Sequence, residues 1–297
     1  MTTPIWLEVA LNGPWSRELQ PDIPITVEEI VADGIACAEA GAAIVHLHAY
    51  DERTGRQRDD ATLYARIIDG IRAKSDVIVY PTLPLAGSPD APEPMPAGKR
   101  FEAVEELGRR GLLEWAVVDP GSVHFARYAA IRQDDVGFVY QNPGDHVRHG
   151  LELARRYRFH PSYAIYEPGF LRFGAALHRQ IEGCPRPVYR FMFSNGFAWG
   201  LPPKPYALDA YLRLLEDEAP GAPWMVAGLD VDIAPLIGPA TLRGGHIRVG
   251  LEDAPFGEGR SNRQQVLDAR ALIERTGARL ASPAEVRLAL SELTGDG

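Results

Sequence analysis

The stretch AAIVHLH at residues 42–48 places two histidines, one residue apart, at the end of an apolar and partly β-branched run. A run of this kind predicts a buried strand. Side chains alternate between the two faces of a strand, so His46 and His48 point in the same direction. Two imidazoles side by side at a strand end are suited to begin a metal site, which needs at least one further ligand.

Seven other apolar runs alternate with helix-like patterns along the chain. They span residues 5–11, 77–80, 114–118, 162–166, 187–193, 224–228 and 245–252. Alternating strands and helices predict a parallel sheet, and eight repeats in 297 residues favour a closed (β/α)8 barrel over an open doubly wound sheet. We therefore predict one α/β domain over residues 1–297, a TIM barrel with an inserted loop at about 81–98 and a C-terminal helix.

Motif and composition patterns exclude several classes of protein. No G-x-G-x-x-G follows the first strand and no G-x-x-x-x-G-K-[ST] occurs, which argues against dinucleotide-binding and P-loop folds. A net charge of -9 argues against nucleic-acid binding. Two cysteines are too few for a disulfide framework, and neither a signal peptide nor a membrane-spanning run is evident. We expect a cytoplasmic protein that binds neither nucleic acid nor a membrane.

Polar residues follow nearly every predicted strand, at the end where a barrel of this kind carries its chemistry. The capping needs of strand-to-helix loops explain Thr82, Ser122 and Asn195 well, but they explain a pair of histidines poorly. The polar positions at these ends are Asn12, His46, His48, Thr82, Asp119, Ser122, Glu167, Asn195, Asp230, Glu252 and Asp253.

The last predicted strand carries Arg248 and Glu252 on one face, by the two-residue period of a strand. An arginine and a carboxylate on an interior face are costly unless they are paired or bind a metal. His46, His48 and Glu252 form the two-imidazole, one-carboxylate set of a catalytic zinc with an open position. Non-haem iron(II) sites use the same ligand types.

Neighbouring residues of the last strand suggest further roles. Gly250 leaves room for a close approach. Asp253, beside Arg248 and a metal, would stay ionised and could act as a general base. If the first strand turns Glu8 toward the interior, that carboxylate must pair with another buried group, for which Arg190 and Arg248 are the candidates.

Two longer stretches, HLHAYDERTG at 46–55 and GGHIRVGLEDAPF at 244–256, resemble the signatures of the β-keto acid cleavage enzyme family. LNG at 11–13, GKRFE at 98–102 and YEPGF at 166–170 extend the resemblance over nearly the whole chain. The resemblance implies a zinc-dependent TIM barrel, commonly a homotetramer. It also implies that a β-keto acid and acetyl-CoA are converted into acetoacetate and a new acyl-CoA.

The resemblance also implies roles for individual residues, by position. The two histidines and Glu252 match the zinc ligands, and the zinc would act as a Lewis acid on the carbonyl and carboxylate of the β-keto acid. Arg248 and Asp253 match the pair that drives proton abstraction. Glu167 matches a further carboxylate of the active site.

The chain departs from the family around the expected substrate. The third strand ends in PTLP at 81–84, where the family often has Ser/Thr-Thr-Gly-Gly. No acid aligns at Pro14-Trp15, around which the family's amine-binding carboxylate falls. Asp119 replaces a small polar residue and could select a cationic or hydroxylated substrate, or reject an anionic one. The residues expected to contact substrate are Asn12, Trp15, Thr82, Asp119 and Ser122.

Two other functions use the same residues. His-x-His at a barrel strand end also opens the sites of metal-dependent hydrolases, and a hydrolase or lyase with a non-CoA substrate is the first alternative. Those hydrolase sites need further His and Asp ligands on late strands, where this chain has Arg248 and Glu252. The second alternative is a non-catalytic metal-bearing scaffold or sensor, in which the pair Arg248 and Asp253 would be dispensable.

Overall fold

The computed structural model describes residues 4–91 and 94–292. Its strands are β1 (Leu7–Ala10), β2 (Ile44–Leu47), β3 (Tyr50–Asp51), β4 (Arg56–Gln57), β5 (Ile78–Pro81), β6 (Trp115–Val117), β7 (Val123–Phe125), β8 (Phe138–Tyr140), β9 (His160–Ile165), β10 (Val188–Phe193), β11 (Trp224–Gly228) and β12 (His246–Val249). Its helices are α1 (Val27–Ala40), α2 (Ala61–Arg72), α3 (Ala97–Arg100), α4 (Glu102–Arg109), α5 (Tyr128–Ile131), α6 (Gly144–Tyr157), α7 (Pro168–His178), α8 (Pro205–Glu218), α9 (Ala234–Thr241), α10 (Asn262–Arg275) and α11 (Pro283–Glu292).

Eight parallel strands form one sheet in the order β5-β2-β1-β12-β11-β10-β9-β6. The end strands β5 and β6 lie beside each other, so the sheet curls into a nearly closed barrel with helices between successive strands. Each of the eight strand candidates overlaps one barrel strand. The predicted (β/α)8 barrel is therefore confirmed.

Local sequence sets the path of the chain into the second barrel strand. Thr26 accepts a hydrogen bond from Glu29 N, and the Glu29 carboxylate accepts one from Thr26 N, which is a complete capping box at the start of α1. The helix ends at Gly41, whose φ of 121° favours glycine. β2 then pairs with β1, with Ala10 opposite His46, so the paired histidines lie where the two strands end.

Two short antiparallel hairpins project from the carboxyl ends of barrel strands. The stretch 51–56 contains the turn between β3 and β4, in which Asp51 accepts hydrogen bonds from two backbone N–H groups. β7 and β8 form the second hairpin. The inserted loop predicted at about 81–98 begins after β5 and ends where α3 starts; residues 92 and 93 lie outside the described part of the chain.

Apolar side chains fill the space between sheet and helices, but charged side chains occupy the inside of the barrel. Glu8, Arg190 and Arg248 are each at most 3% exposed. The pattern of the first and last strands thus places charge in the interior, as the sequence predicted.

Within the described ranges, no helix combines the length and the apolar character that crossing a membrane requires.

Candidate active site

The two histidines of the opening stretch meet Glu252 at the carboxyl end of the barrel. All three side chains are buried, and each offers a ligand atom within 4.8 Å of the others. His46 Nε2 lies 3.5 Å from Glu252 Oε2, and His48 Nε2 lies 3.4 Å from the same oxygen. The structure therefore brings together the three residues predicted as metal ligands.

Asn12, predicted to bind substrate, holds the backbone of His48 instead. Its Oδ1 accepts from His48 N at 2.9 Å, and its Nδ2 donates to His48 O at 3.0 Å and to Pro24 O at 2.9 Å. The side chain is fully buried and all of its polar atoms are in use. Asn12 therefore fixes the position of His48, and the substrate contact predicted for Asn12 stays a prediction.

Gln57, on β4, orients the His48 ring and was missed by the sequence reasoning. His48 Nδ1 lies 2.8 Å from Gln57 Oε1, while Gln57 Nε2 donates to Asp59 at 2.8 Å and to Leu83 O at 3.2 Å. Because the amide nitrogen faces two acceptors, the amide oxygen faces the imidazole. His48 then carries its proton on Nδ1 and keeps the Nε2 lone pair free.

Buried polar atoms without a hydrogen-bond partner indicate whether a metal would suit this cluster. Among the described residues, His48 Nε2 and Glu252 Oε2 have no hydrogen-bond partner although both are buried. Leaving such atoms unpaired costs about 1–3 kcal/mol each. A divalent cation between them would satisfy both, and two imidazoles with one carboxylate are ligands that zinc and iron accept.

The protonation of the cluster also suits a cation. Burial lowers the pKa of His46 well below its ordinary value, so the ring is neutral and able to bind a metal. Burial alone would raise the pKa of Glu252, but the Arg248 guanidinium holds it well below its ordinary range. Glu252 is therefore an ionised ligand.

Arg248 is fully buried and joins three carboxylates. It donates to both oxygens of Asp253 at 2.9 and 2.8 Å, to Glu252 Oε1 at 2.7 Å and to Glu8 Oε1 at 3.2 Å. The expectation that Glu8 pairs with a buried arginine is met by Arg248. Because the guanidinium takes Oε1 of Glu252, the carboxylate presents Oε2 to the histidines.

Asp253 lies behind Arg248 and is 2% exposed. Burial raises the pKa of Asp253 to about 6, although the Arg248 guanidinium opposes the shift. The approach predicted at Gly250 is made by the first strand: a methyl group on Gly250, at φ 137°, would lie 2.1 Å from Ala10 O. The close backbone contact brings residues 252 and 253 next to β1.

A cavity at the carboxyl ends of the strands holds about 480 Å³ of space free of atoms, part of it at the open mouth. The three metal-ligand candidates line it, and so do Trp15, Thr82 and Asp119 among the residues predicted to bind substrate. Trp15 is fixed there because its Nε1 donates to Glu252 O at 2.8 Å. The polar lining residues that were not predicted from the sequence to belong to the site are Gln57, Tyr140, Tyr166 and Arg190.

Ser122 and Glu167 do not line this cavity within the described part of the chain. Ser122 is exposed, and its Oγ accepts from Asn142 N at 2.8 Å, just past β8. Glu167 precedes α7 and accepts from Gly200 N at 3.0 Å. Their placement gives no support to the substrate contact predicted for Ser122 or to the active-site role predicted for Glu167, and both stay predictions.

Asp119 lines the cavity but is already engaged by the protein. Its Oδ1 accepts from Ala164 N at 3.0 Å and its Oδ2 from the Tyr140 hydroxyl at 2.8 Å. Burial raises the pKa of Asp119, and Arg190, 3.8 Å away, opposes the shift. The carboxylate is thus held between Tyr140 of the β7–β8 hairpin and the backbone of β9.

Comparison with known proteins gives a family for the chain. The family model described as beta-keto acid cleavage enzyme matches residues 4–291. The 3-oxoadipate:acetyl-CoA acetyltransferase of Cupriavidus necator is 29% identical over 98% of this chain and 95% of its own length. The 3-dehydrocarnitine:acetyl-CoA trimethylamine transferase of Rhizobium meliloti is 27% identical over 89% and 88%. The 3-keto-5-aminohexanoate cleavage enzyme of Fusobacterium nucleatum is 26% identical over 93% of both chains.

Solved structures show the same fold at low sequence identity. The apo structure of ObcA superposes with a TM-score of 0.68 at 18% identity, over 91% of this chain and 66% of that chain. This chain therefore spans about two thirds of the length of ObcA. The 3-dehydroquinate dehydratase of Geobacillus kaustophilus matches with a TM-score of 0.57 at 10% identity, over 93% and 92%. At these identities the matches support the barrel and nothing finer.

Proposed function

Because the chain belongs to the β-keto acid cleavage enzyme family, we propose that it cleaves a β-keto acid with acetyl-CoA, giving acetoacetate and an acyl-CoA. In this reaction the bond between carbons 2 and 3 of the acid breaks. The acyl group from carbon 3 joins the CoA sulfur, and the two-carbon acid fragment joins the acetyl group. The observation that carries the proposal is the convergence of His46, His48 and Glu252, with two unpaired buried atoms, in one cavity.

We propose zinc as the metal held by these three side chains. When bound, zinc supplies Lewis acidity at a substrate carbonyl oxygen. Asn12 and Gln57 hold His48 in place, and Arg248 turns the second oxygen of Glu252 toward the cluster.

Arg248 and Asp253 are proposed to act as one unit in moving the carbon-2 proton. The paired contacts between them hold the carboxylate in a fixed orientation, and the third contact of Arg248 places its charge beside Glu252. A buried guanidinium at this point favours negative charge developing on the substrate next to the metal ligands. The proton would reside on the Asp253 carboxylate.

The curated relatives differ in the far end of the acid that they use. Their names specify 3-oxoadipate, 3-dehydrocarnitine, 3,5-dioxohexanoate and 3-keto-5-aminohexanoate. All four substrates share the β-keto acid group. Their far ends are a carboxylic acid, a quaternary ammonium, a ketone and an amine, respectively. We propose the shared chemistry for this chain on the strength of the family.

A turnover assay tests the function. The zinc-loaded protein is incubated with acetyl-CoA and a panel of β-keto acids, and the CoA thioesters are identified by mass spectrometry. We expect one new acyl-CoA with acetoacetate, and Asp253→Asn should lower the rate by at least about 100-fold because the proton acceptor is lost. Absence of any new thioester from a metal-loaded protein would overturn the proposal, and amide or ester hydrolysis without CoA would favour the hydrolase alternative.

Metal content tests the site independently of turnover. His48→Ala leaves two protein ligands, which rarely hold a catalytic zinc, so elemental analysis should show most of the metal lost. Full retention of zinc by a folded His48→Ala protein would contradict the assignment. We also propose, on the family resemblance alone, that the protein is a cytoplasmic homotetramer.

A further inference from the structure

Arg190 is a buried cation in the cavity wall with most of its hydrogen-bonding capacity unused. It lies on β10 and is 3% exposed. Among the described residues its one hydrogen bond runs from Nη2 to Ser162 O at 3.4 Å, and its Nε has no partner. A guanidinium carries five N–H donors, and leaving them unpaired in the interior is costly.

Arg248, in the same barrel, is a buried arginine whose side-chain donors are paired with acceptors. It is equally buried, yet it donates four hydrogen bonds to three carboxylates, at 2.7 to 3.2 Å. Both arginines are in the interior, but only Arg190 lines the cavity. The difference indicates that the donors of Arg190 are kept for a ligand.

Asp119, the nearest carboxylate to Arg190 among the described residues, does not accept hydrogen bonds from the guanidinium. Its Oδ1 lies 3.8 Å from Arg190 Nη2, beyond hydrogen-bond length. Each Asp119 oxygen already accepts a hydrogen bond, from Ala164 N or from the Tyr140 hydroxyl. Asp119 therefore balances the charge of Arg190 without occupying its donors.

The barrel places Arg190 across the cavity from the paired histidines. In the strand order, β10 is four steps from β2 in either direction around the eight-stranded ring. Apolar side chains, including Leu83, Val117 and Leu229, also line this cavity. A substrate whose keto-acid end lies at the histidines would extend its other end along an apolar wall toward Arg190.

We propose that Arg190 binds a carboxylate at the far end of the substrate, so that the preferred substrate is a 3-oxo dicarboxylic acid. The inference rests on the proposed function for the keto-acid end of the molecule. An apolar far end would leave the donors of Arg190 unfilled. A cationic far end would be repelled by the charge of the buried guanidinium. With acetyl-CoA the products are acetoacetate and an acyl-CoA that ends in a carboxylate.

Paired substrates test the inference on the unmodified protein. A 3-oxo dicarboxylic acid is compared with its ester at the far carboxylate, and kcat/KM is measured for each with acetyl-CoA. We expect a preference for the diacid of about 100-fold, because a buried guanidinium forms charge-assisted, bidentate hydrogen bonds with a carboxylate and only weaker ones with a neutral ester. Equal kcat/KM values, or a preference for the ester, would overturn the inference while leaving the proposed cleavage intact.

Substitution of Arg190 locates the preference. Arg190→Gln should reduce the diacid-to-ester ratio to near unity, and the double variant Arg190→Gln/Asp119→Asn should do the same without leaving an unpaired carboxylate. Arg172→Gln is the matched control, because Arg172 pairs with Glu218 on the outer helices, and its ratio should equal that of the unmodified protein. If Arg190→Gln lowered both rates equally, the residue would serve the carboxylate common to all β-keto acids, and the inference would be wrong.

A binding experiment separates this inference from the reaction itself. Calorimetric titration of the zinc-loaded protein with adipic acid and with its monomethyl ester needs no turnover. Tighter binding of adipic acid that is lost in Arg190→Gln would support the anionic subsite even if no acyl-CoA were formed. Equal binding of both probes, in a protein that does produce an acyl-CoA, would overturn the subsite alone.

Discussion

His48 depends on two residues that belong to different parts of the chain. Asn12 fixes its backbone and Gln57 fixes its ring, through contacts at 2.8 to 3.0 Å. The sequence identified the histidine from its spacing, since a strand period predicts where the side chain points. It could not identify Gln57, because the contact forms only when the hairpin of β3 and β4 folds back over the site.

Gln57→Leu should weaken metal binding by about 10–100-fold, because a metal-ligating histidine loses the acceptor that holds its tautomer. Affinity can be measured by competition with a chelator, and nitrogen NMR of the metal-free protein should show the Nδ1–H form of His48 less populated. Gln180→Leu is the control, since Gln180 is exposed in a turn. Unchanged affinity and an unchanged tautomer in Gln57→Leu would contradict this role.

The burial of His246 predicts that the stability of the protein depends on pH. Its Nδ1 accepts from Trp6 N at 3.1 Å, its ring stacks on Trp6, and burial lowers its pKa to about 3. Below the unfolded-state pKa of about 6.5 the unfolded chain binds a proton that the folded protein does not. The stability from this group is complete above about pH 6.5 and is lost as the pH falls toward 3, by at most about 1.4 kcal/mol per pH unit.

Urea unfolding at pH 7, 6 and 5 measures this contribution. His246→Gln keeps an acceptor for Trp6 N but does not titrate, so its free energy of unfolding should fall less steeply with decreasing pH. His124→Gln, at an exposed position of β7, should keep the slope of the unmodified protein. Identical slopes for His246→Gln and the unmodified protein would show that His246 is not held neutral.

At the scale of the elements, the hairpin of β7 and β8 carries Tyr140 into the cavity, where it holds Asp119. The eight barrel strands could be predicted from the sequence because each is a distinct apolar run followed by a helix. Both hairpins were missed because their strands have only two or three residues, too few to show a period. Arg190 was not predicted as a site residue for a related reason. Its position in the cavity wall follows only from the closure of the barrel.

Substitution of Gly137 tests how much the hairpin of β7 and β8 contributes to stability. Its φ is 72°, and a methyl group there would lie 1.9 Å from Phe125 O, so Gly137→Ala should distort the hairpin. Gly111 has a similar φ of 68° and no atom within 4 Å of such a methyl group, which makes it the matched control. Gly111→Ala should cost about 1–2 kcal/mol of unfolding free energy, and Gly137→Ala at least about 1 kcal/mol more.

Urea unfolding compares the two alanine variants, and hydrogen exchange locates the change. Faster exchange in Gly137→Ala should be concentrated between residues 123 and 140, with the barrel strands protected as before. Equal destabilisation by the two substitutions, without a local change in exchange, would mean that the hairpin tolerates the methyl group.

At the scale of the whole molecule, the family resemblance predicts a homotetramer. Light scattering coupled to size exclusion should give four times the chain mass of 32.6 kDa. A mass equal to one chain at micromolar concentration would contradict the prediction. The single chain already contains the three candidate metal ligands, the arginine–carboxylate pair and the cavity, so the mass measurement bears on assembly and leaves the site assignment unchanged.

Barrel closure is what makes one site from distant parts of the sequence. His46 and Glu252 are separated by most of the chain, yet β2 and β12 both lie next to β1 in the sheet. Strand ends could be predicted from the sequence, and the (β/α)8 topology then brings them to one rim. We propose that this rim carries out carbon–carbon cleavage with acetyl-CoA.

The fate of labelled carbon tests that claim most directly. The zinc-loaded protein is given an unlabelled β-keto acid from the panel and acetyl-CoA labelled with carbon-13 in both acetyl carbons, and the products are analysed by NMR and mass spectrometry. We predict that both labelled carbons appear at positions 3 and 4 of acetoacetate, together with an unlabelled new acyl-CoA. Label recovered only as acetate or unchanged acetyl-CoA, with no new thioester from any acid, would contradict the account.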